Sequence, residues 1–182
     1  MRDFYFKIKV DEQLSMGIPR LRNAEEIYQL IDNDREHLRQ WLPFADSTQS
    51  VEDVRKNLID RIEAFDRNEQ ASFYGTLNGE FVASVGFVKL ENTDGEIGYW
   101  LLSQYQGRGL VTTFVKACIN YGFNELNLDT IVIKCAEGNV KSAGIPQRLG
   151  FTLSDKTETT RFRNESDHQT LIFTLDKKDW ST

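Results

Sequence analysis

A chain of 182 residues, 40% of them hydrophobic, matches the length of one domain and can supply a sizeable core. Lys and Arg total 22 against 28 Asp and Glu, with no long block of like charge, which argues against a generic nucleic-acid surface; the net charge of −6 suits a basic partner. No apolar run approaches the roughly 20 residues a membrane span requires.

Taken in order, Met1 to Val10 alternates apolar and charged residues, which reads as a strand over 4–10 and not as a signal peptide. The expectation is therefore a cytoplasmic protein. Leu14 to Leu21, broken by Gly17 and Pro19, makes a short extended return. Asn23 followed by Glu26 reads as an N-cap with an acidic third residue, and Ile27, Leu30, Ile31, Leu38 and Leu42 supply the apolar stripe of one helix that Pro43 stops. Within it, Asp34 to Phe44 mixes charges and aromatics densely. A solvated helix face with an aromatic anchor is the plain reading; one wall of an acceptor cleft, with Trp41 and Phe44 as contacts, is the sharper one.

Ser50 with Asp53 marks a second cap, and Val54, Leu58, Ile62 and Phe65 a second helix to about Asn68. Residues 71–77 and 80–90 flank Asn78-Gly79, a pair that tolerates the positive φ values of a type I′ turn, so a hairpin is expected. A further turn, Glu91 to Gly95, leads into a third antiparallel strand at Glu96. Later, the β-branched run Thr130 to Cys135 reads as a buried strand. Asn139 opens a short helix, Ser142 to Leu149, closed by Gly150. Residues 157–163 and 168–175 form a last hairpin.

Cys118 and Cys135 fall inside a helix pattern and a strand pattern, as small buried residues. His37 and His168, without clustered Cys or paired carboxylates, make no convincing metal site. His168 is read as a structural strand residue, although a histidine can deprotonate an amine.

The most informative stretch is residues 96–122: the strand Glu96-Ile97-Gly98-Tyr99-Trp100-Leu101-Leu102, the turn Ser103-Gln104-Tyr105-Gln106-Gly107-Arg108-Gly109, then a helix carrying Val111, Phe114, Val115, Cys118 and Ile119 at helical spacing. First-turn amides and the helix dipole favour an anion there. Glycine lets a phosphate approach the main chain, and Arg108 can add charge at the rim. The spacing fits neither a P-loop nor a dinucleotide fingerprint. An ordinary strand-to-helix turn is the plain alternative.

Gln104-x-x-Gly107-x-Gly109 resembles the acetyl-CoA pyrophosphate loop of the GNAT N-acetyltransferases. Asn139-x-x-Ser142 with Leu149-Gly150-Phe151 resembles that family's second CoA-contacting segment, and Glu36-His37-Leu38-Arg39-Gln40-Trp41-Leu42-Pro43-Phe44 is similar to the branch that acetylates ribosomal-protein N-termini. The likeness extends over nearly the whole chain. It implies an α/β fold of α+β type, with a mixed, mostly antiparallel splayed central sheet flanked by helices, in a single domain spanning 1–182. It implies acetyl-CoA as cosubstrate with no metal, an acceptor amine at a protein N-terminus, no nucleic acid or membrane partner, and a homodimer.

Thioester aminolysis needs a neutral amine, an oxyanion donor and an acid for the thiolate. The resemblance implies Trp100, Leu101, Leu102, Gln104, Gln106, Gly107, Arg108, Gly109, Leu110, Val111, Thr112, Asn139 and Ser142 as cofactor contacts. Ser142 would protonate the thiolate and Glu96 would accept the ammonium proton through water; the plain role of Glu96 is a solvent-exposed strand-end carboxylate. Strand alternation sets Glu96, Gly98 and Trp100 on one face and Ile97, Tyr99 and Leu101 on the other. Tyr99, Trp41 and Phe44 would wall the acceptor cleft. Where the ribosomal branch carries an acid facing the acceptor, this chain has Arg161, with Glu158 nearby, so the acceptor's identity is open. A polyamine, an amino-sugar antibiotic or an amino acid remain alternatives, as does a non-catalytic acyl-CoA-binding module.

Overall fold

The fold follows from alternation. In the computed structural model, which describes residues 4–161 and 167–181 and side chains outside 156–168, adjacent strand residues part to opposite faces and each face receives its own helices. Phe73 enters one buried cluster and its neighbour Tyr74 the other. Among the described residues eight strands form one sheet: β1 (Phe4–Lys9), β2 (Leu14–Pro19), β3 (Ala71–Leu77), β4 (Glu80–Glu91), β5 (Asp94–Leu101), β6 (Thr130–Ala136), β7 (Thr152–Arg161) and β8 (Asp167–Asp176), in the order β1-β2-β3-β4-β5-β6-β8-β7. Every neighbouring pair is antiparallel except β5 with β6. The mixed, mostly antiparallel sheet expected from the sequence is what forms.

The helices are α1 (Ala24–Asn33), α2 (Arg35–Leu38), α3 (Phe44–Ser47), α4 (Val51–Asp66), α5 (Leu110–Asn124) and α6 (Val140–Arg148). α1 and α4 cover the Tyr74 face through Ile27, Ile31, Val54 and Leu58. α5 covers the Phe73 face with Phe114, Val115, Cys118 and Ile119. Phe114 is fully buried and fills the space above Gly75, where an added Cβ would lie 2.8 Å from its ring. Phe114→Ala is expected to cost about 3–5 kcal/mol of unfolding free energy, measured by denaturant titration, because the pocket above Gly75 cannot collapse.

Ser50 caps α4 as the sequence implies, its Oγ accepting from Asp53 N at 3.2 Å. Hydrogen bonds from the Ser50 hydroxyl and the Gln49 amide hold the Asp53 carboxyl below its ordinary value.

Two expectations near the N-terminus are corrected. Asn23 makes no side-chain cap, because it closes a 3₁₀ turn, Leu21–Asn23, with helical dihedrals of its own. Its Oδ1 is buried without a hydrogen-bond partner among the described residues. The single helix expected up to Pro43 is interrupted at Asp34, and Pro43 precedes the short α3 instead of ending a long helix. Asp34 leaves the helical path at φ −110°, ψ 15°, with its carboxylate committed to Ser103 far along the chain. Tertiary contact overrides helix periodicity there.

The parallel pair β5 and β6 positions the site. Their pairing runs from Asp94–Thr130 to Ile97–Ile133 and stops. Beyond that point β5 stays paired with β4 as far as Leu101, and β6 with β8 as far as Ala136. The sheet therefore opens as a V between Gly98 and Lys134.

Candidate active site: a cavity through the splayed sheet

A cavity of about 1310 Å³ occupies this V. Gly98, Tyr99, Trp100 and Leu101 form one edge, and Lys134, Cys135 and Ala136 the other. Leu38 and Trp41, in and just beyond α2, line it, as do Leu110, Val111 and Thr112 of α5 and Asn139, Ser142 and Arg148 at α6. Since α1 and α2 pack on one face of the sheet and α5 on the other, the cavity passes through the gap from face to face. Two reactants can enter it from opposite sides.

The loop between β5 and α5 makes one end. A 3₁₀ turn, Ser103–Tyr105, leads to Gly107 and Gly109, both at φ +73°, with open space where a Cβ would stand. Gly109 occupies the N-cap position of α5 without a side chain to accept from it. The first helical hydrogen bond is donated by Thr113 N to Gly109 O at 3.1 Å, so the amides of Leu110, Val111 and Thr112 have no intrahelical acceptor. Exposed amides and the helix dipole suit an anion. Lys141 and Arg148 add positive charge from α6. Lys141 Nζ donates to Gln106 Oε1 at 2.8 Å and Arg148 reaches Thr112 Oγ1 at 3.4 Å, both uncharged acceptors.

At the start of α6, on the cavity wall, Asn139 Oδ1 accepts from Ser142 N at 3.1 Å, the cap read from the sequence. One turn on, Pro146 stands inside α6 and has no N–H for the carbonyl four residues back. That carbonyl belongs to Ser142, and the Tyr99 hydroxyl supplies the missing donor at 2.9 Å. Ser142 Oγ in turn donates to the Tyr99 oxygen at 3.2 Å. Burial raises the Tyr99 hydroxyl well above its ordinary pKa, so it stays a protonated donor at neutral pH. Cys135 is buried beside them; burial pushes its thiol up, and a hydrogen bond with Ser142 opposes the shift. Both cysteines are free and buried.

Of the residues singled out from the sequence, Trp41, Tyr99, Trp100, Leu101, Gln106, Gly107, Gly109, Leu110, Val111, Thr112, Asn139 and Ser142 line the cavity. Others do not. Leu102 is buried, its amide bonded to Val82 O at 3.0 Å. Gln104 lies outside the lining, within the 3₁₀ turn. Arg108 lies outside the lining, its guanidinium over the Tyr105 ring at 5.8 Å. Phe44 packs against Trp100 with ring centroids 6.0 Å apart, and both line a separate cavity of about 370 Å³ that Asp60 and Arg61 also line, so Trp100 stands between the two spaces. Glu96 sits below the opening and pairs with Lys134 at 3.5 Å, and only the lysine reaches the cavity. The side chains of Glu158, Arg161 and His168 lie outside the described residues.

Sequence reading missed the polar residues that close the walls: His37, Lys134, Lys141 and Arg148. His37, Lys141 and Arg148 sit on short helices and Lys134 on β6, and a single charged or polar residue at such a place carries no periodic signal. Tyr99 was read as a wall, and its bond to Ser142 had a visible cue in Pro146.

Among the described residues no helix is long and apolar enough to cross a membrane, and no group of three His, Cys, Asp or Glu residues is arranged to hold a metal ion.

The acetyltransferase (GNAT) domain pattern matches residues 17–152. YdaF of Bacillus subtilis (strain 168) is 30% identical over 186 residues, 96% of this chain and 97% of that protein. The ribosomal-protein-serine acetyltransferase of Escherichia coli (strain K12) is 30% identical over 161 residues, 87% of this chain and 90% of its own length. In three dimensions, RimL, a ribosomal L7/L12 α-N-protein acetyltransferase solved with coenzyme A, superposes with a TM-score of 0.87 over 96% of this chain and 99% of that one; at 22% identity it speaks for the fold. A domain match over most of the chain, two relatives at 30% identity and a sheet split by a cavity agree: this chain belongs to the GNAT family of N-acetyltransferases.

Proposed function

We propose that the chain transfers acetyl from acetyl-CoA to the N-terminal α-amine of a protein, a ribosomal protein in first place, by direct attack within a ternary complex. The observation that carries this reading is a cavity open through the sheet, with the uncovered first-turn amides of α5 on one side and the α2 wall opposite. The cradle fits a diphosphate, since Gly107 and Gly109 leave the amides uncovered where a side chain would stand. Acetyl-CoA supplies an activated acyl group, and its solved neighbours RimL and the microcin C7 self-immunity acetyltransferase hold CoA and acetyl-CoA.

Each role falls to a residue of this chain. The amides of Leu110 to Thr112, with Gln106, Lys141 and Arg148, hold the diphosphate. The unpaired edge of β5 from Gly98 to Leu101 aligns an extended arm as a strand would and offers an amide to the developing oxyanion. Ser142 lends its proton at the sulfur end, turning away from Tyr99 at the cost of about 1 kcal/mol for one neutral hydrogen bond. Glu96 takes the ammonium proton through water from below the opening. Trp41, Tyr99 and Trp100 wall the acceptor side. The chain works as one domain over residues 1–182, in the cytoplasm and as a homodimer.

The relatives also include the spermidine N(1)-acetyltransferase of Escherichia coli (strain K12), 27% identical over 125 residues, so polyamines belong in the test. Purified protein is incubated with acetyl-CoA and a panel of N-terminal ribosomal peptides, spermidine, an amino-sugar and free amino acids, and products are located by mass spectrometry. Acetylation confined to peptide α-amines is expected. Preference for spermidine would replace the acceptor, and binding without turnover on any amine would make the chain an acyl-CoA-binding module.

A further inference from the structure

Gln106 joins the two sides of the cavity with one side chain. Lys141 Nζ donates to its Oε1 at 2.8 Å, while its Nε2 lies 2.8 Å from His37 Nε2. An ammonium can only donate, so the amide oxygen faces Lys141; the amide nitrogen can only donate, so His37 Nε2 accepts and its proton sits on Nδ1. The cofactor loop is thereby tied at once to α6 and to α2. A second tie is firmer: the Asp34 carboxylate accepts from Ser103 N at 2.7 Å and from Ser103 Oγ at 2.5 Å, fixing the break before α2 to the start of the same loop. The first tie passes through a neutral amide that can turn; the second is made by both oxygens of one carboxylate.

Among the described residues the charges beside the cradle are answered by dipoles and a ring. Lys141 meets an amide oxygen, Arg148 a hydroxyl, and Arg108 the face of Tyr105. An ammonium bonded to a neutral amide gains by exchanging it for a phosphate oxygen, because the attraction between opposite charges is added to the hydrogen bond. When Lys141 leaves, the amide of Gln106 loses the one other side-chain partner that, among the described residues, holds it in the orientation that His37 needs.

We propose that Lys141 is a phosphate ligand of the cofactor and that Gln106 relays its capture to the acceptor wall: diphosphate binding draws Lys141 off Gln106, and His37 is released with the residues after it. Asp34 is the pivot of that movement. Gln40, Trp41 and Leu42 follow His37 along the cavity wall, so the acceptor side is rearranged by occupancy of the cofactor side. Coupling of this kind is reciprocal, and an acceptor that displaces the wall tightens cofactor binding by the same factor. The proposal rests on the acetyl-CoA reading above, and the experiment separates the two.

The chain contains two histidines, so ring ¹⁵N spectra of histidine-labelled protein hold two residues, told apart with His168→Asn. Unreactive coenzyme A is the titrant, with affinity followed calorimetrically on the same samples. In the wild-type protein the His37 Nε2 signal is expected to move as coenzyme A saturates. In Lys141→Met the signal should already be displaced without ligand, and coenzyme A should bind about tenfold more weakly, from loss of one charge-assisted bond. Gln106→Ala should leave a His37 signal that coenzyme A no longer moves. Saturable binding with an unmoved His37 signal in the wild type, or wild-type affinity in Lys141→Met, overturns the relay while leaving the acetyl-CoA reading intact. No binding of coenzyme A to the wild type overturns both.

Discussion

Gly109→Glu is expected to abolish saturable acetyl-CoA binding while the chain stays folded. Gly109 sits at φ +73°, where any side chain is strained by about 1–2 kcal/mol. Against a typical total of 5–15 kcal/mol that is tolerable, and nothing lies within 4 Å of the new Cβ to add a clash. The harm is electrostatic. A carboxylate placed at the α5 N-cap accepts from the amides of Leu110 to Thr112 and repels a diphosphate from the same spot. A loss of at least about a hundredfold in affinity is expected, near 3 kcal/mol. Gly109→Ala carries the backbone strain without the charge and should lose less than about tenfold. Calorimetry gives the affinities, and circular dichroism melts confirm that both variants fold. Equal, small losses in the two variants would show that the loop is a structural turn.

Ser142→Ala should lower kcat about a hundredfold with KM for acetyl-CoA little changed, the signature of a proton donor that acts only as the thiolate departs. The change spares the Asn139 cap, which uses the Ser142 backbone amide. Tyr99→Phe is the informative contrast. Because Pro146 has no N–H, removing the Tyr99 hydroxyl leaves the Ser142 carbonyl without its donor. That variant should lose about 1–3 kcal/mol of stability as well as rate, whereas Ser142→Ala, which removes a neutral hydrogen bond to the Tyr99 oxygen, should lose rate with no more than about 1 kcal/mol of stability. Full activity in Ser142→Ala would move the acid role to Tyr99 or to solvent.

The contrast between these two residues shows what a sequence discloses. Local chemistry was legible: Ser50 and Asn139 cap their helices, Asn78 and Gly79 turn the hairpin at φ 50° and 85°, and Gly107 and Gly109 take the positive φ that their spacing suggested. The faces of β5 were legible too, with Ile97 in one core and Trp100 packed on the other. Contacts between distant segments were not. Asp34 sits in a helical pattern and leaves it for Ser103, 69 positions away, and no local rule anticipates that bond. His37 falls in a stretch that reads as a solvated helix face and Lys141 gives no local signal, until the fold sets Gln106 between them. The opening between β5 and β6 arises from where pairing stops, and pairing is set across the sheet rather than along a strand. Phe44 illustrates the same limit: one aromatic in a rich stretch, it packs against the far side of Trp100 and lines the smaller cavity.

Calorimetric titration of the wild-type protein with acetyl-CoA, with coenzyme A and ATP as controls, tests the central claim most directly. Saturable binding of acetyl-CoA and coenzyme A, with ATP far weaker, is the expected result, since the contacts proposed along the β5 edge and at Ser142 would recognise what a nucleotide triphosphate lacks. Failure of both CoA species to bind, or ATP binding as tightly as they do, would contradict the assignment of the Gly107 to Gly109 loop and the acyl-transfer reading built on it.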